Sequence, residues 1–167
     1  MIIQNKIGAL NSFDLRGREI DWLQMEWYET NKRILRKRTK AGVEVALKFM
    51  KENPGLTQGD VLYEDEHSII AVDIVPCDCL VITPADMFEM ASVCYEIGNK
   101  HLPLFFEANT LLVPFEQPLY RLLTVQGYDV KHDKKKLLQP LKTTVAPHAH
   151  SSESLFSRIM KLTNSDE

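Results

Sequence analysis

In the first half of the chain the apolar positions recur with a period of two. Val43, Val45, Leu47 and Phe49 alternate with Glu44, Ala46 and Lys48, as in a strand with one face in a core and the other in water. The run Lys32 to Arg38 lies across Lys40-Ala41-Gly42 from it, so the two predict a hairpin. Two further short strands are expected. Val61 to Tyr63 follows the turn pair Gly59-Asp60, and Ser68 to Ile74 follows the acidic turn Glu64-Asp65-Glu66-His67. The residues ahead of the hairpin are poorly patterned, and residues 1–75 are read as an all-β domain.

The period then changes. Cys79 to Ile82 is strand-like, Thr83 is placed to cap a helix with Pro84 at its first position, and Asp86 suits the positive end of that helix. Met87, Met90, Ala91, Cys94 and Ile97 fall on one face at helical spacing, and Gly98 is placed just past the helix end. Apolar runs at Leu102 to Phe106 and Leu111 to Phe115 follow. Pro118 then opens a second helix with Leu119, Leu122 and Leu123, and Gly127 precedes a strand near Tyr128 to Lys131. The order βαββαβ predicts a ferredoxin-like domain over residues 76–141, two helices covering one face of a four-stranded antiparallel sheet. Residues 142–167 read as a flexible polar tail, in which Leu155, Phe156, Ile159 and Met160 have amphipathic spacing. The fold class is therefore α+β.

Charge narrows the field. Twenty basic against 23 acidic side chains give a net charge of −3, without the basic excess that binding a phosphate backbone requires, so nucleic acid is excluded as a partner. The basic run Lys32, Arg33, Arg36, Lys37, Arg38 and Lys40 lacks interleaved aromatics and reads as solvated strand charge, as does Lys134-Lys135-Lys136. No stretch approaches the roughly 20 apolar residues that span a bilayer, and Met1 to Lys6 has no apolar leader, so a cytoplasmic protein with no membrane partner is expected. Three cysteines, Cys77, Cys79 and Cys94, are an odd set that implies free thiols in a reducing compartment. The sequence has no glycine-rich phosphate loop, no His-Glu-x-x-His, no Gly-x-Ser-x-Gly and no cysteine-nucleophile signature. A non-enzyme is expected.

The histidines carry the candidate chemistry. His101 is expected in an exposed loop at the end of a rigid helix, as a metal ligand or as a charge complement to the helix dipole. If two copies met at this loop, symmetry would bring two imidazoles to one ion. His148 and His150 form a His-x-His pair that suits nickel, copper or zinc, or are two exposed tail residues. Together they describe a labile site that a tail closes and opens. Cys77-x-Cys79 faces one side of a strand and either chelates a soft metal or packs at a domain junction, there being no second pair at zinc-ribbon spacing. Cys94 reads as core. Two rivals to a metal carrier remain: a zinc hydrolase using His101 with Cys77 and Cys79, and an interaction module whose β domain binds a polypeptide.

The chain resembles the UreE family of urease accessory proteins, the nickel metallochaperones. The features that carry the likeness are Asp21 to Trp27 leading into a basic strand with Arg33, Arg36, Lys37, Arg38 and Thr39; the turn Gln58-Gly59-Asp60-Val61-Leu62; the helix end Tyr95-Glu96-Ile97-Gly98-Asn99-Lys100-His101; and the histidine-bearing tail. The family pattern at the helix end is Gly-Asn-Arg-His; Lys100 stands in place of the arginine, keeping the charge and losing the planar fork. The resemblance implies a partner-binding β domain, a homodimer through the second domain, and Ni2+ shared by His101 of both subunits. It also implies a tail ligand from His148 or His150, and delivery through the urease accessory GTPase to the urease maturation complex. Leu155 to Met160 is the candidate contact with that GTPase. Two tail histidines are too few for bulk storage, so delivery is favoured. Zn2+ and Cu2+ are expected competitors, copper on affinity.

Overall fold

A computed structural model of the chain describes residues 1–50 and 53–141. Its strands are β1 (Ile2–Ile3), β2 (Gly8–Ala9), β3 (Glu19–Met25), β4 (Ile34–Arg38), β5 (Glu44–Lys48), β6 (Asp60–Glu64), β7 (Ser68–Ile74) and β8 (Cys77–Ile82). Helix α1 (Met87–Asn99) follows, then β9 (Phe105–Glu107), β10 (Thr110–Pro114), helix α2 (Gln117–Val125) and β11 (Val130–Lys135).

The first domain packs two sheets face to face, one ordered β1-β5-β4 and the other β2-β6-β7-β3. Their shared core joins Ile3, Val45 and Leu47 of the first sheet to Leu23, Met25, Leu62, Ile70, Val72 and Ile74 of the second, so each strand's alternation has one face to bury. The expected hairpin is β4 against β5, in register from Ile34 opposite Lys48 to Arg38 opposite Glu44. Gly42 takes the left-handed backbone that its turn requires (φ 91°).

Strand β3 is absent from the sequence reading. Its apolar residues change face at Trp22: Leu23 and Met25 enter the shared core, whereas Ile20 and Trp22 pack on the sheet's other side with Val61, Ile69, Ala71, Leu10 and Phe13. A strand covered on both faces has no alternation to detect. Its partner β7 runs parallel to it, from Glu19 opposite Ser68 to Met25 opposite Ile74.

The second domain is the expected ferredoxin-like unit. All pairings in its sheet, β11-β8-β10-β9, are antiparallel. Both helices lie on one face, where Val93, Ile97, Leu119 and Leu123 meet Leu80, Ile82, Leu111 and Val113. The opposite face presents Cys79, Phe105 and Leu112 with Leu137 towards Trp27 of the first domain. Trp27 stands edge-on to Phe105, ring centroids 5.5 Å apart, and the Lys136 ammonium donates to Asp73 on β7 at 2.6 Å. The sheet is thus covered by helices on one side, and on the other by Leu137 together with Trp27 of the β domain.

Helix α1 starts later than Thr83 and Pro84 predict. The Thr83 N–H still donates to the Asp129 carbonyl at 2.9 Å, which keeps Thr83 in the extended strand end and leaves capping to Asp86, whose carboxylate accepts from the Glu89 N–H at 2.8 Å. The inward face is also different: Met90, Val93, Cys94 and Ile97 reach the core, while Met87 is 81% exposed and Ala91 is exposed. Val93 buries more apolar surface than Ala91 would, and the helix phase follows it.

Candidate metal centre

Helix α1 does not stop at Gly98. It runs on to Asn99, with Lys100 as its C-cap, and the residue that turns the chain away in the left-handed conformation is His101 (φ 54°). The His101 N–H donates to the Gly98 carbonyl at 3.0 Å, and the Leu102 N–H reaches back to the Ile97 carbonyl at 3.3 Å. This pair of bonds is the Schellman motif, completed by an apolar contact between the residue beyond the turn and the one that receives its N–H. Here those residues are Leu102 and Ile97, both in the second domain's core. Had Gly98 been the turn residue, that contact would have fallen between Asn99 and Cys94, and a polar Asn99 offers nothing to bury.

Helix α2 ends in the same turn. The Gly127 N–H donates to the Thr124 carbonyl and the Tyr128 N–H to the Leu123 carbonyl, both at 3.1 Å, with Gly127 left-handed (φ 84°). One domain therefore contains the motif twice, with glycine at one turn and histidine at the other. A left-handed residue bearing a Cβ costs about 1–2 kcal/mol. Among the described residues the other non-glycine in this state is Ala108, between β9 and β10. Strain of this kind, held by well-packed surroundings, points towards function.

His101 is exposed, so its imidazole stands at the carbonyl end of α1, where the helix's partial negative charge favours a cation. The soft donors are withdrawn. Burial pushes the Cys79 thiol up to about 11, and burial raises Cys77 and Cys94 as well, so thiolate ligation there would oppose desolvation. Cys77 and Cys79 lie on the face that packs against Trp27, and Cys94 lies on the helix side; a pocket of His101 with both sheet cysteines is not formed. Among the described residues no group of three or more His, Cys, Asp or Glu side chains is gathered for a metal ion. Imidazole is the donor the helix end offers, one per chain. His148, His150 and the stretch Leu155 to Met160 lie outside the described residues.

One further histidine escaped sequence reasoning. His132 on β11 has Nε2 3.0 Å from Asp78 Oδ1 and its ring 4.3 Å from that of Phe115. Asp78 and Phe115 come close to it only through strand register, which local sequence does not specify. Two charges of the basic run are paired: Lys37 with Glu29 and Arg38 with Glu44, each at 2.5 Å.

A β domain fixed to a ferredoxin-like domain that presents an imidazole at a helix end defines a two-domain binding protein. The family model for the UreE urease accessory protein N-terminal domain matches residues 3–75, and that for its C-terminal domain matches residues 77–155. The urease accessory protein UreE of Flavobacterium johnsoniae is 47% identical over 163 residues, covering 97% of this chain and 99% of the relative. Those of Acetivibrio thermocellus and Helicobacter hepaticus are 36% identical over 151 residues (90% of this chain, 98% of the relative) and 41% over 130 residues (76% and 75%). The chain belongs to the UreE urease accessory protein family: it is an accessory chaperone of urease maturation and not an enzyme. Among the described residues no helix is long and apolar enough to cross a membrane.

Proposed function

We propose that this accessory protein is a cytoplasmic nickel carrier. Two copies associate through residues 76–141, His101 of each supplies one nitrogen to a shared Ni2+, and His148 or His150 completes the coordination. The urease accessory GTPase then takes the ion by replacing the tail ligand and passes it to the urease maturation complex. The ion is cargo, so the site must be open enough to release it. Zn2+ and Cu2+ suit the same nitrogen donors and compete for them.

The observation that carries this reading is the outer side of α1. Phe88, Ala91, Tyr95 and Gly98 follow one another at helical spacing, and Phe88 and Tyr95 are 79% and 70% exposed. Gly98 has right-handed helical backbone, and a Cβ there would meet nothing within 4 Å. A glycine inside a helix costs roughly 0.5–1 kcal/mol against alanine, and among the described residues nothing offsets that. Close approach of a second helix would. The stripe ends one turn before His101, so a twofold axis passing close to this end of α1 would bring the two imidazoles together, whereas an axis through the middle of the stripe would hold them apart.

Calorimetric titration of Ni2+ with light scattering tests the reading. One tightly bound ion per dimer is expected. His101→Ala should lose more than the roughly 10–100-fold in affinity typical of residues behind the ligands. Tyr95→Asp should give a monomer that loses the shared site. Retained tight binding in His101→Ala would refute the shared histidine.

A further inference from the structure

The left-handed turn at His101 has to be held. Glycine occupies this conformation at α2 without steric penalty, whereas His101 relaxes towards right-handed or extended backbone as soon as its neighbours allow. Its own N–H bond to Gly98 is local and exposed. The restraint that reaches the domain interior comes from the next residue, through the Leu102 N–H to the Ile97 carbonyl and the packing of the half-buried Leu102 side chain on the core that contains the fully buried Ile97. Pro103 follows, with its fixed φ, and Leu104 re-enters the same core.

We propose that Leu102 is the positioning residue of the metal site: by locking into the second core it keeps His101 left-handed and its imidazole aimed beyond the helix end. This rests on the carrier reading above. A rotation of φ and ψ at His101 swings the ring by ångströms, and across a twofold axis the displacement occurs at both donors of one ion, so a small loosening of the turn acts twice on the site. The Leu102 side chain packs on its own domain's core. Its effect is on the population of the binding-competent turn, which scales apparent affinity directly.

Four variants of the full-length chain, Leu102→Ala, Leu102→Val, Leu102→Met and Leu104→Ala, test this by Ni2+ calorimetry beside thermal unfolding and light scattering. Leu104 is 8% exposed in the same core but outside the turn, so its truncation reports general loss of packing. Leu102→Ala should weaken Ni2+ binding about tenfold or more, as outer-shell substitutions at metal sites do. Leu102→Val should lose less and Leu102→Met should recover most of the affinity. Leu104→Ala should lower the melting temperature comparably while leaving affinity and dimer intact. Unchanged affinity in Leu102→Ala, or equal losses in Leu102→Ala and Leu104→Ala, would overturn the proposal. If Leu102→Ala does not fold, Leu102→Val against Leu104→Ala decides in the same way. Absence of Ni2+ binding by the unsubstituted protein would sink the carrier reading itself, a result separable from a failure confined to the variants.

Discussion

The two helices of the second domain end in the same hydrogen-bonded turn and differ in the residue that makes it. At α2 the left-handed position holds Gly127; at α1 it holds His101. Both turns are pinned by an apolar pair in one core, Leu123 with Tyr128 and Ile97 with Leu102, so the surroundings do not account for the difference. The α2 turn is what stability selects. The α1 turn departs from it in the one respect that places an imidazole at a helix end, beside an apolar stripe whose Phe88 and Tyr95 are exposed among the described residues.

The largest expected effects fall on what the turns share. Ile97→Ala and Leu123→Ala each remove a fully buried side chain and should cost about 2–4 kcal/mol of unfolding free energy, measured by urea titration; a loss confined to one of them would break the equivalence of the two turns. Next comes what distinguishes them. Gly127→Ala forces a Cβ into the left-handed position and should cost about 1 kcal/mol without changing Ni2+ affinity. A stabilised Gly127→Ala would show that the glycine serves some purpose other than its conformation.

Much of this was legible in the sequence, and the failures have physical causes. The βαββαβ order followed from the change of period after residue 75, from Pro118 and from Gly127. The hairpin followed from the alternation of Val43 to Phe49. Strand β3 escaped because both of its faces are covered and its partner is remote in sequence. Thr83 and Asp86 are both competent caps, and only the tertiary hydrogen bond from Thr83 to Asp129 decides between them. Gly98 misled because glycine is the usual residue at such a turn. The signal against it was present in the apolar Leu102 followed by Pro103, which places the turn at His101. His101 itself was legible as a candidate ligand; its left-handed backbone was missed once the turn was assigned to Gly98.

The smallest effect concerns the joint between the domains. Burial opposes ionisation of Asp73, but hydrogen bonds from Lys136, Gln58 and Gln24 outweigh it and hold its carboxyl below the ordinary 3.8. A carboxylate depressed in this way contributes stability above its unfolded value and loses it as pH falls through the folded one. The contribution, on the order of 1 kcal/mol or less, should therefore be full above about pH 5 and fade below about pH 4. Thermal unfolding across that range should show a shallower acid loss in Lys136→Met than in the unsubstituted chain. Identical slopes would remove the Asp73–Lys136 pair from the account.

The most direct test of the central claim, that His101 is kept in a strained turn for the sake of a metal ion, is thermal unfolding of His101→Gly with and without Ni2+. Without metal the variant should melt at a higher temperature than the unsubstituted protein, by the few degrees that relief of about 1 kcal/mol gives a chain of this size. With Ni2+ the unsubstituted protein should gain stability through binding and the variant should gain none. A variant that melts lower without metal, or that keeps the nickel-induced rise, would contradict the claim.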